Sequence, residues 1–208
     1  MNSTLTERTP AIDVAGVDVR GVLTLPVMAR GLVLFVQEVA TPADLDLARA
    51  FERRGLATLR FDLSQVADLG AATLAVIDWL DRDPELAALR CGLFGIGESA
   101  AAMVTAAAQR PHAISALVVR SPRFGVAVRS LSHVHAPTLL VAGSADPSAL
   151  ALSRGALAEL AHGALTIVPR ATHAFDEPGV LDAVARLAGA WFLDHLTSRT
   201  TALAAASS

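Results

Sequence analysis

The sequence predicts a doubly wound α/β domain, mostly parallel in its sheet, with an antiparallel hairpin at its start. Three observations carry this. Six short runs are almost continuously apolar, as strands buried on both faces are. Most of the stretches between them place apolar residues at helical spacing. The chain has 208 residues, 53% of them hydrophobic, and no internal repeat, which suits one core in one domain.

Ile12–Val14 and Val17–Leu25, separated by Ala15-Gly16, read as a β-hairpin at a sheet edge. Strands are then expected at Leu32–Val36, Ala57–Phe61, Cys91–Phe94, Ser115–Val119, Thr138–Ala142 and Leu165–Val168. Helices are expected at Pro42–Arg54, Leu69–Asp83, Glu98–Arg110, Ser148–Ala161 and Pro178–Leu196. Gly55 ends the first of these, Pro84 follows the second, and Asp146-Pro147-Ser148 offers a cap before the fourth. Between Ser121 and Pro137 no strong helical period exists, so the chain crosses the end of the sheet there as a loop or short helix. No linker divides these elements. Residues 1–197 are therefore read as one domain, and the small, polar stretch 198–208 as a frayed, disordered tail. The short connection from Leu63 to Leu69 leaves little room for a lid, and Phe35, Phe61, Phe94 and Trp79 fall in core patterns.

Composition narrows the function classes. A formal charge of −3 with interspersed signs leaves no basic stripe for nucleic acid. The opening MNSTLTERTP lacks the basic end and apolar segment of a secretory signal, and no apolar run approaches a membrane span. A cytoplasmic protein without a membrane partner is expected. The single cysteine, Cys91, excludes an internal disulfide and reads as a buried, inert thiol. His133 and His135 have no acidic or thiol neighbour at ligand spacing, so no metal is expected. The expected partner is a small-molecule substrate or ligand, with a homodimer left open.

Ligands of open α/β sheets sit at the carboxyl ends of the strands. That rule selects Gln37, Glu38, Asp62, Gly97, Glu98, the stretch from Arg120 to Arg123, Asp146 and His173. Gly95-Ile96-Gly97-Glu98-Ser99-Ala100 forms a glycine turn between strand and helix. Asp146 follows the penultimate strand and His173 the last, which is the order acid then histidine downstream of a strand–elbow–helix unit. With the strings RGLVLF, GLATLRFDL, AVIDWL, GLFG, APTLLVAGSAD and VPRATHAFDEPG, the chain resembles small dienelactone-hydrolase-like α/β-hydrolases over nearly its whole length. The resemblance implies the α/β-hydrolase fold with little or no lid, and no cofactor.

Two departures fall on the parts that would perform acyl transfer. An ungapped match puts Gly97 where the family carries its serine nucleophile and Ser99 at the following glycine. Glycine accepts the positive φ of such an apex but has no oxygen with which to attack a carbonyl. After RGLVLFV, where the family has a histidine–glycine oxyanion loop, this chain has Gln37-Glu38-Val39-Ala40. A carboxylate there would repel a developing oxyanion.

Asp146 and His173 read either as a helix cap and a loop histidine, or as a pair in which the carboxylate orients the imidazole. An imidazole without a serine can abstract a proton, deliver one, or activate water. Glu38 is the candidate acid beside it. Gln37, Arg123 and Phe175 are candidate ligand contacts, and Glu98 stands at the mouth or simply in a first helical turn. Ser99 has a rival register, G-x-S-x-A, which requires the strand to run two residues further. The same turn matches G-x-G-x-x-A, a dinucleotide fingerprint, although that motif usually follows the first strand of its fold. The expectation is a repurposed, non-hydrolytic acid–base enzyme of isomerase, lyase or cyclase type acting on a small organic molecule. The alternatives are a non-catalytic binding protein on a dead hydrolase scaffold, and an ester hydrolase using Ser99 or water activated by His173.

Overall fold

The computed structural model describes residues 5–38 and 40–197, so the tail expected to fray lies outside the described residues. The chain opens with β1 (Leu5–Arg8), β2 (Ala11–Val14) and β3 (Val17–Pro26). Then come β4 (Leu32–Val36), α1 (Pro42–Glu52), β5 (Ala57–Phe61), α2 (Leu69–Leu80), β6 (Cys91–Ile96) and α3 (Ser99–Gln109). β7 (Ile114–Arg120), a 3-10 segment (Gly125–His133), β8 (Thr138–Gly143), α4 (Pro147–Glu159), β9 (Gly163–Val168) and α5 (Val180–Leu196) complete it.

These strands form one sheet in the order β1-β3-β5-β4-β6-β7-β8-β9, with β2 paired to the first half of β3. From β5 through β4 to β9 every pairing is parallel, while β3 runs antiparallel to β1, β2 and β5. The chain enters the parallel part at β4, turns to one side for β5, and returns on the other side for β6. That reversal places the switch point of the sheet between β4 and β6, where a crevice opens at their carboxyl ends.

β1 was not expected. All four of its residues are exposed, so it carries no buried alternation to read; it is held by antiparallel pairing to the second half of β3 and by ion pairs from Arg8 to Asp83 and Glu85. The helices are shorter than expected at several ends. α1 begins on a capping box between Thr41 and Asp44, with Pro42 in its first turn, and α2 begins on Asp68.

One face of the sheet packs against α2, α3 and the 3-10 segment, the other against α1 and α5. On the second face Phe35, Phe51, Phe94 and Phe192 form an aromatic cluster with ring centroids 5.1–5.8 Å apart. Phe61 and Trp79 meet edge-on across the first face. Cys91 is buried at the start of β6, and burial pushes its thiol up to about 12, with the Asp81 charge adding to the effect. Among the described residues no helix is long and apolar enough to cross a membrane.

Candidate functional site

β6 runs to Ile96, two residues beyond the expected end, and the chain then turns at Gly97. Gly97 has φ +58°, the left-handed region that favours glycine. Its N–H donates to Arg120 O at 3.0 Å and its carbonyl accepts from Arg123 N at 2.9 Å, so the turn is stitched to the end of β7. A Cβ added to Gly97 would meet nothing within 4 Å.

The longer strand does not bring Ser99 to the apex. Ser99 is the first residue of α3 and only 5% exposed. Its Oγ accepts from Ile96 N at 2.8 Å and donates to Ile96 O at 3.0 Å. The hydroxyl is turned into the strand–helix junction and bonded there on both sides. Glu98 projects into solvent, with its carboxylate 3.8 Å from Arg123 Nη1.

On the other side of the site, β8 ends at Gly143, where a Cβ would lie 2.1 Å from Ala171 O. Only glycine lets the strand end abut the loop of residues 169–179 that carries His173. Ser144 Oγ accepts from Arg170 N, and Glu177 Oε1 accepts from Thr172 N, both at 2.7 Å, so this loop is pinned on either side of the histidine. Asp146 caps α4 by accepting from Ala149 N at 3.0 Å with Oδ1, and its Oδ2 stands 2.8 Å from His173 Nδ1. The ionised carboxylate can only accept, so His173 Nδ1–H donates. Both readings of Asp146 are therefore realised at once, one by each oxygen. The Ala149 N–H chiefly holds the Asp146 carboxyl below its ordinary value; burial pushes the other way, and the His173 hydrogen bond adds to the lowering. The His173 side chain is 52% exposed, leaving Nε2 free of the carboxylate's hold.

The expected site residues divide between two hollows. Gln37, Glu38, Leu69, Ile96, Glu98 and Ser99 line one of about 410 Å³. Asp146, His173, Arg123 and Ser121 border a much smaller one of about 10 Å³. Arg123, tied through its backbone to Gly97 and through its side chain to Glu98, belongs to the rim between them. Glu38 and His173, expected as an acid–base couple, border different hollows, and His173 is hydrogen-bonded to Asp146.

Phe175 also differs from expectation. It is 2% exposed at φ +58°, and its ring packs inward over Arg120, 5.0 Å from the guanidinium carbon, instead of lining a pocket. Arg120, selected by its place after β7, is only 7% exposed. Ser121, within the stretch after β7 that the strand-end rule selects, is fully buried at φ +46°, beside Asp146 and His173.

No family model matches the chain. Among solved structures it is similar to dienelactone hydrolase from Anabaena variabilis, with 34% identity, a TM-score of 0.87, and coverage of 92% of this chain and 99% of that one. Est1E from Butyrivibrio proteoclasticus shares the fold at 16% identity and a TM-score of 0.79, over 89% of this chain and 98% of its own. Among curated proteins, a Mycobacterium tuberculosis protein bearing the provisional name phosphoribosyl transferase is 39% identical over 201 residues, in two strains. The match takes in 88% of this chain but only 45% of that relative, so the chain spans about half the length of the curated relatives it matches.

Proposed function

The chain belongs to the dienelactone hydrolase family of α/β-hydrolases, and from that premise we propose that it is a small-molecule acid–base enzyme working without a covalent acyl intermediate. His173 is the proton carrier and Asp146 its orienting partner. One observation carries the reading: the Asp146–His173 contact of 2.8 Å stands across from a turn whose apex, Gly97, bears no side chain.

In this reading Nε2 takes a proton from an acidified carbon of the substrate. The same nitrogen returns it to another atom of the isomer or to a departing group. Asp146 stabilises the imidazolium formed in between. Glu38 and Glu98 border the hollow beneath the turn and make it a poor place for a tetrahedral oxyanion to grow. Ser99, buried and bonded to Ile96 at both donor and acceptor, is a poor replacement nucleophile.

Proton exchange with solvent tests this directly. A panel of small carbonyl compounds in D2O, followed by NMR, should show exchange with the wild type that falls about 10²–10⁴-fold in His173→Ala. The wild type should resist a serine-directed phosphonate, whereas Gly97→Ser, whose side chain enters open space, should become labelled. Wild-type labelling that disappears in Ser99→Ala would overturn the proposal in favour of a serine hydrolase. The exposure of His173 favours one second reading, in which the imidazole activates water against an ester. Ester turnover without phosphonate labelling would select it.

A further inference from the structure

Arg120 closes β7 on the α1/α5 side of the sheet, two residues beyond Val118, which lies in that core. Burial pulls its guanidinium below the usual arginine value, and the Asp44 charge acts in the opposite sense. Its Nε and Nη1 find no hydrogen-bond partner among the described residues. A buried cation without a direct partner is costly, and an apolar side chain would be the cheaper filling.

What Arg120 does touch is the Phe175 ring. Phe175 lies two residues after His173, and φ +58° is a conformation that a bulky aromatic residue holds only where its surroundings over-determine it. Asp44, whose charge acts on Arg120, sits in the first turn of α1 and is 1% exposed. Asp44 Oδ2 accepts from Thr41 N and Oγ1 at 2.8 and 2.6 Å, while Oδ1 is buried without a partner. Arg120 thus packs against the loop that presents the imidazole and feels the charge at the start of α1.

We propose that Arg120 is a positioning residue: its buried guanidinium, packed against the Phe175 ring, keeps that ring inward and so fixes the left-handed turn that delivers His173 to Asp146. A desolvated cation–π contact is strong enough for this task, far more so than one in water. The proposal rests on His173 being the working group, but its test reads the imidazole itself, so it fails or stands apart from the reaction.

The readout is the His173 Nδ1–H proton in the isotopically labelled full chain, assigned by its loss in His173→Ala. Hydrogen-bonded to a carboxylate, that proton lies downfield and exchanges slowly. Arg120→Met, which removes the charge and keeps the length, should abolish the signal or speed its exchange about tenfold or more. Arg120→Lys should fall between, and Phe175→Leu should copy the defect. The double variant Arg120→Met/Phe175→Leu should add nothing further, as expected of one coupled contact. A folded Arg120→Met or Arg120→Lys variant with the wild-type signal and exchange rate would overturn the proposal, and so would additive effects in the double variant. If Arg120→Met fails to fold, Arg120→Lys and Phe175→Leu decide by the same criteria.

Discussion

The β6 side and the β8 side of the site use their polar side chains in opposite ways. On the β6 side the Ser99 hydroxyl bonds to a residue three positions away, and Gly97 brings no side chain. On the β8 side Asp146 divides its oxygens between Ala149, three residues on, and His173, which is 27 residues on. Local side-chain-to-backbone bonds of the first kind are what a helix start needs in order to form. The bond from Asp146 to His173 satisfies no helix end and closes no turn. The comparison therefore separates a side of the cleft whose hydrogen bonds serve folding from one that keeps a bond folding does not require.

The largest effect expected from this contrast divides the two duties of Asp146. Asp146→Asn retains an oxygen that can accept from Ala149 N–H but loses the charge that favours imidazolium, so activity should fall about 10²–10⁴-fold with little change in stability. Asp146→Ala should lose as much activity and, in addition, about 1 kcal/mol from the missing cap, measured by urea denaturation. Equal stability of the two variants would break the division of labour. Next in size, Ser99→Ala should cost about 0.5–1.5 kcal/mol, because the Ile96 N–H and carbonyl each lose the hydroxyl partner at a half-buried junction, while the activity per folded molecule stays unchanged. A fall in that specific activity would move Ser99 from folding into chemistry.

The smallest effect lies in acid. Asp146 titrates below its ordinary 3.8 in the folded chain, so its contribution to stability is fully present above that value. It is lost as pH falls through the folded value. Because the Ala149 N–H is the leading cause, His173→Ala should remove only the lesser part of this acid-limb stability, whereas Asp146→Ala should remove all of it. Denaturation curves at a series of pH values below 4 compare the two, and equal losses would put the imidazole ahead of the cap.

Much of the parallel sheet was legible because its strands are buried on both faces and read as unbroken apolar runs, as Leu32–Val36 does. β1 was not, since an edge strand with every residue exposed has no hydrophobic pattern. Asp146 and His173 were legible from their places after strands, but choosing between cap and orienting pair was a false choice, because a carboxylate has two oxygens. The inward turn of Phe175 could not be read, because a positive φ in a non-glycine residue is imposed by tertiary contacts and leaves no mark on composition. That Glu38 and His173 border different hollows was equally hidden, because it depends on how loops distant in sequence meet.

Cys91 lends the molecule an experimental transparency of its own. The chain has one cysteine, and its thiol is buried and stays protonated far above neutral pH. Alkylating reagents and thiol-reactive dyes should therefore pass over the folded wild type. A cysteine installed at position 97 would be the one reactive sulfur in the chain, and its alkylation rate across pH would report the electrostatic character of the turn from the inside.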